Sequence, residues 1–173
     1  HAMFDTFICA GGKGTQTLIE DDKAVAAVAR VAGRASRIVS VCTGAFILAK
    51  AGILNGRRAA THWASCERLA RDYPAITVDA DPIFIRDGNV FTSAGVTAGM
   101  DLALALVEAD LGREIALAAA RDMVMFFKRP GSQAQFSTHL SAQMAENGSI
   151  SDVQLWLLDN LGREIDVENL AER

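Results

Sequence analysis

The sequence predicts an α/β fold: a three-layer sandwich whose mostly parallel sheet is covered by helices on both faces. Three observations carry this expectation. Short apolar β-type runs alternate with helical stretches along the first three quarters of the chain. One buried-type strand, Arg37–Val41, runs straight into a helix with no loop between them. A very apolar helical stretch follows a hairpin, as expected of a helix packed against a sheet.

Taken in order, Asp5–Cys9 reads as a buried strand ending at Gly11-Gly12. Asp22–Arg34 is helical, with Val25, Val28 and Val31 on one side. After the strand at Arg37–Val41 comes a helix from Thr43 to Ala51, closed by Gly52, and a turn at Asn55-Gly56. Arg58–Thr61 reads as a strand and Ala64–Asp72 as a helix stopped before Pro74. Pro82–Ser93 has the pattern of a hairpin turning at Asp87-Gly88. Helices are expected at Thr97–Leu111, ended by Gly112, and at Glu114–Phe127.

The composition then shifts. Lys128–Phe136 is polar, carries a Pro-Gly break, and reads as a connector. Three short helical stretches follow, at 140–146, 151–161 and from Val167 onward, the last with Asp166 as N-cap. The expected organisation is an α/β domain over 4–128, a linker over 129–149 and a short all-α segment over 150–173.

With 173 residues and half of them hydrophobic, the chain can bury a sizeable core. No apolar run approaches the ~20 residues of a membrane-spanning helix. His1-Ala2-Met3 reads as an expression-tag remnant. The net charge of −4, without a basic cluster, disfavours DNA binding by the chain as given. Cys9, Cys42 and Cys66 are odd in number and widely spaced, which suggests neither disulfides nor a zinc site and fits the cytoplasm. No cofactor and no metal are implied.

The turn at Cys42 is the most informative feature. A strand that becomes a helix at once is strained, and it presents the turn residue above the sheet edge, as a nucleophile elbow does. Gly44 and Ala45 are small enough to let the helix start against the strand. A cysteine at a helix N-terminus is favoured as thiolate, and the carboxyl ends of strands are where open α/β sheets bind ligands. The amides of Gly11-Gly12, after a neighbouring strand, are expected to face an anion or oxyanion near the thiol. The bland alternative is a small buried cysteine without chemistry, and Cys9 and Cys66 read as core.

Several motifs resemble one family. Ser40-Val-Cys-Thr-Gly-Ala-Phe46, Ala51–Trp63 (ending Thr61-His62-Trp63) and Thr92-Ser-Ala-Gly-Val-Thr-Ala-Gly-Met-Asp-Leu-Ala-Leu104 are similar to the PfpI/ThiJ superfamily, of the flavodoxin-like, class I glutamine amidotransferase-like fold. Within it, the resemblance is nearest to sensor domains of AraC-type transcription regulators. Arg121–Ser137 resembles the link these regulators place after the sensor. Gln154–Leu161 and Asp166–Arg173 resemble the start of their helix-turn-helix module. Measured against the family pattern, an opening strand, a helix and further strands are missing ahead of Phe4, with the acidic residue that commonly faces the cysteine. The chain also ends before the recognition helix that enters the major groove. The expectation is a fragment of a regulator.

The resemblance implies a small metabolite bound near the elbow. The candidate ligand-binding residues are Cys42, Thr43, Gly11, Gly12, His62, Trp63, Thr97 and Asp101. Thr97 and Asp101 also suit plain roles at the start of a helix, Thr97 as N-cap. His62 suits a structural role at a strand end, and Trp63 suits packing. The implied partners are a small-molecule effector, DNA through the parent's helix-turn-helix module, and a second copy in a homodimer. No membrane is implied.

Catalysis needs a base near the thiol. Catalytic members carry a histidine in the stretch that here reads Ala70-Arg-Asp-Tyr-Pro-Ala-Ile-Thr77, which has none. His1 belongs to the tag remnant and His139 lies past the connector, so Cys42 is expected to be a vestigial nucleophile position. Isonitrile hydratases of the superfamily share the Val-Cys-Thr-Gly-Ala and Thr-His-Trp signatures without that histidine, so a hydratase or amidase is the enzymatic alternative. A redox or electrophile sensor acting through Cys42 is a third reading.

Overall fold

The computed structural model describes residues 3–127 and 156–157. Two units are distinguished, His1–Gln133 and Ala134–Arg173. Of the second, only Trp156 and Leu157 are described, both helical. The connector, most of the three C-terminal helical stretches, and His139 lie outside the described residues.

The first unit is built on a four-stranded sheet in the order β1-β2-β6-β5. β1 (Phe4–Ala10) and β2 (Ala35–Val41) are parallel, with Cys9 beside Ser40. β6 (Val90–Ser93) runs parallel to β2, with Ser40 beside Thr92. β5 (Phe84–Asp87) joins β6 as the antiparallel hairpin arm, Asp87 opposite Val90. Gly88 turns that hairpin at φ 62°, a left-handed value that glycine adopts without cost. A second, two-stranded parallel sheet pairs β3 (Arg58–Ala59) with β4 (Thr77–Val78). Isolated from alternating context, a two-residue strand such as β4 carries no readable period.

Helices cover both faces. α1 (Thr15–Glu20), α2 (Asp22–Ala32) and α3 (Gly44–Lys50) lie on one. There Ile38, Val90, Ala45, Phe46 and Leu48 enter a common core. α5 (Val96–Leu111) lies against β2, β5 and β6 on the other face, its Gly99 backed onto Val41. Ile38 and Val41 are an odd number apart, so the pleat sends them to opposite faces. α4 (Cys66–Asp72) follows a short 3₁₀ turn at Trp63–Ser65, and α6 (Arg113–Asp122) packs on α5. Leu48, Leu54, Leu69, Leu102 and Leu104 are fully buried, each contributing roughly 1.5–3 kcal/mol.

The mostly parallel, helix-covered sheet is the predicted fold. Four local expectations change. Among the described residues β1 is an edge strand rather than a buried one: its one sheet neighbour there is β2, and Ile8 is 60% exposed. The stretch after Gly11-Gly12 holds α1, which the sequence reading lacked. The strand expected over Arg58–Thr61 stops at Ala59. α6 ends at Asp122 rather than Phe127, because the chain leaves the helix through Val124 at φ 54°.

Candidate functional site

At the carboxyl end of β2 the chain turns into α3 through Cys42, whose φ of 57° lies in the left-handed region. For a residue with a side chain this costs on the order of 1–2 kcal/mol. Three hydrogen bonds hold it there. The Cys42 N–H is shared between the carbonyls of Ser93 (3.0 Å) and Ala94 (2.8 Å). The Cys42 carbonyl accepts from Thr61 Oγ1 at 2.9 Å. Thr61, Ser93 and Ala94 are buried, so the clamp is shielded from water.

Glycines make the approach possible. A Cβ on Gly44 would fall 2.1 Å from the Cys9 carbonyl oxygen, and one on Gly11 2.5 Å from the Thr43 nitrogen. α3 therefore starts in direct backbone contact with the end of β1. The loop after β1 is tied down by Thr43: its Oγ1 accepts from the Gly12 N–H at 2.9 Å and shares a hydrogen bond with Thr15 Oγ1 at 3.0 Å. The expected role of the glycine amides is thus corrected at Gly12. Its N–H is spent on a side chain and does not face an oxyanion.

His62 borders the elbow. It caps the 3₁₀ turn, Nδ1 accepting from the Ala64 N–H at 3.3 Å, and its Cδ2 edge faces Gly95, where a Cβ would meet it at 3.3 Å. With Nδ1 as acceptor, a neutral ring carries its proton on Nε2 and donates there. Trp63 is 48% exposed and tilts against His62 with ring centroids 5.5 Å apart. At the start of α5 the N-cap is Gly95; Thr97 lies inside the helix and is exposed, which corrects its expected capping role. Asp101 is buried one turn further on.

The other thiols sit in different surroundings. Burial pushes the Cys9 thiol up to about 11. Cys66 is also raised by burial, and its Sγ lies 3.6 Å from the His62 carbonyl and 3.9 Å from that of Thr61. Cys42 alone of the three is not fully buried. Among the described residues no group of three or more His, Cys, Asp or Glu side chains is arranged to hold a metal.

The structure brings Cys42, Thr43, Gly11, Gly12 and His62 to one end of the sheet, together with Thr61, Thr15 and the Ser93–Gly95 turn, which sequence reasoning did not single out. The small polar run Thr92-Ser-Ala-Gly95 at a strand's end was the available signal for the turn. Thr61 belongs to the Thr61-His62-Trp63 signature, but its hold on the Cys42 carbonyl rests on a contact across 19 positions.

Residues 1–109 match the DJ-1/PfpI family. The chain is 38% identical to the isonitrile hydratase of Pseudomonas putida over 117 residues, 66% of this chain and 49% of that enzyme. It is 30% identical over 168 residues to the HTH-type transcriptional regulator GbdR of Pseudomonas aeruginosa, 96% of this chain and 45% of the regulator. The chain thus spans about half the length of these curated relatives. A crystal structure of a ThiJ/PfpI family protein from Pseudomonas syringae superposes with a TM-score of 0.58 at 31% identity, covering 84% of this chain and 63% of that one.

Proposed function

The chain belongs to the DJ-1/PfpI family, and on that premise we propose that it is the ligand-sensing domain of an AraC-type transcription regulator, with a small metabolite bound beside the Cys42 elbow and controlling an attached DNA-binding module. The observation that carries this reading is the reach of the similarity. The family match stops at residue 109, whereas the likeness to a transcriptional regulator covers 96% of the chain. In the same reading Cys42, Thr43, Gly11, His62, Trp63 and Asp101 border the effector, Gly12 shapes the loop through Thr43, and Thr97 stands at the rim. Control requires the effector to favour one of two arrangements of the parent protein.

The geometry at His62 supports sensing over catalysis. A general base for the Cys42 thiol needs a free nitrogen lone pair. The Nδ1 lone pair already accepts from the Ala64 N–H, so in a neutral ring it is engaged elsewhere. Reading the parent gene beyond the Arg173 codon tests the proposal. A coding continuation through a recognition helix is expected, and a stop codon at that point overturns it.

A hydratase or amidase is the second reading, favoured by the 38% identity to an isonitrile hydratase. It requires the full-length protein to turn over an isonitrile, nitrile or amide, and the Cys42→Ser variant to lose that turnover. Inactivity of the full-length protein across such a panel overturns it.

A further inference from the structure

Beside the elbow, on the far side of Thr43, lies a cleft of about 220 Å³ between α1 and α4. Its lining includes Lys13, Thr15, Thr43, Ser65 and Arg68, with the Phe46 ring among them. Two of these are cations, three carry hydroxyls, and none is a carboxylate. The Arg68 guanidinium carbon lies 5.1 Å from the ring centroid of buried Phe46. Its Nε is 3.2 Å from Asp72 Oδ2, and one terminal nitrogen donates to Gln16 Oε1. Asp72 is shared with Arg71 at 3.0 Å, so Arg68 is only partly neutralised. Glu20, the nearest acid on α1, is engaged by the Gln16 amide at 2.8 Å. Lys13 forms no ion pair among the described residues.

The hydroxyls add a donor. Thr15 and Thr43 together hold two hydroxyl protons, and the hydrogen bond between them uses one. The acceptor side of Thr43 is already occupied by the Gly12 N–H. The pair therefore has a proton to offer an acceptor. The volume corresponds to roughly seven waters, suited to a small head group rather than a whole drug-sized ligand.

We propose that this cleft is a subsite for a small monocarboxylate, held by Arg68 and Lys13 and hydrogen-bonded by the Thr15–Thr43 pair, so that the effector carries a carboxylate end. The proposal rests on the sensor reading and names the chemical class of its ligand. A single negative charge matches one partly neutralised arginine and one free lysine better than a phosphate dianion does. Because Thr43 is the residue after Cys42, a ligand on its hydroxyl sits one residue along the chain from the elbow.

The test is titration of the ¹⁵N-labelled chain with acetate and glycolate, against acetamide and glycolamide as neutral counterparts. Saturable shifts of the Gly12, Lys13, Thr15 and Ser65 amides are expected with the acids, at about tenfold lower concentration than with the amides. Arg68→Gln and Lys13→Gln should each weaken the acids by about tenfold. Lys13 is exposed, so its variant keeps the test valid if Arg68→Gln fails to fold. Equal response to acids and amides, or acid binding indifferent to the Lys13 variant, overturns the subsite and leaves the sensor reading standing. Acid binding in the cleft with no effect on DNA affinity of the full-length protein overturns the sensor reading and leaves the subsite standing.

Discussion

The two ends of the sheet are built from opposite materials. At the carboxyl ends of β1, β2 and β6, small residues and buried hydroxyls bring backbone against backbone: Gly11 and Gly44 against the elbow, Thr61 on the Cys42 carbonyl, Ser93 and Ala94 on its N–H. At the amino ends, long charged side chains span open space. Arg37 forks onto Asp110 with contacts of 3.0 and 2.6 Å and reaches Thr6 through Nε at 3.0 Å. The larger hollow, about 780 Å³, lies at this second end, bordered by Arg37, Arg86, Phe91, Leu106 and Asp110. Volume and chemistry are therefore separated. The crowded end holds the strained residue and the groups proposed to meet the effector, as open α/β sheets place their sites at strand carboxyl ends. The roomy end holds solvated ion pairs that contribute little to stability.

That contrast can be broken at its strongest point by Gly44→Ala. The new methyl would overlap the Cys9 carbonyl, and since both partners are backbone, neither can yield locally. A loss of about 3–5 kcal/mol, or failure to fold, is expected in urea denaturation. A loss below about 1 kcal/mol would mean the two backbones are not locked together.

Thr61→Val keeps the volume and removes the donor to the Cys42 carbonyl. The expected cost is about 1–2 kcal/mol in chemical denaturation. Proton exchange should accelerate at the Cys42 amide more than at Ile38, lower on the same strand.

Cys42→Gly reverses the sign. Removing the side chain from φ 57° releases the strain, offset by the extra entropy glycine loses on folding. A gain of up to about 1 kcal/mol is expected, measured as a higher melting temperature. A destabilised variant would show that the elbow stores no strain.

The smallest effect belongs to the other end. The Arg37 guanidinium holds the Asp110 carboxyl below the usual carboxylate range. A depressed acid stabilises the fold above its unfolded value and loses that contribution as pH falls through its folded value. Asp110→Asn should therefore flatten stability slightly between neutral and acid pH, with little change at the elbow. A loss matching that of Gly44→Ala would erase the distinction between the two ends.

Legibility in the sequence followed the range of the interactions. The strand at Arg37–Val41, the helices around 22–32, 66–72 and 96–111, and the hairpin at Gly88 are encoded by local periodicity and turn chemistry, and the sequence alone predicts them. So is the elbow, because a β-type run that meets Thr43-Gly-Ala without a loop admits few geometries. α1 was not legible: six residues give less than two turns of periodicity. The early end of α6 was not either, since nothing in Met123-Val124-Met125 distinguishes it from a continuing helix.

By itself, then, the sequence determined the α/β class, a mostly parallel sheet implied by its alternation, and the presence of a cysteine at a strand-to-helix turn. Only the tertiary structure decided what holds that cysteine and what faces it. Thr61, Ser93 and Ala94 reach Cys42 from 19 to 52 positions away, Gly12 spends its amide on Thr43, and Lys13, in the turn before α1, lines one cleft with Arg68 of α4. Local patterns encode backbone shape because each residue's neighbours constrain it directly. Pairings between distant residues appear only once packing has brought their segments together.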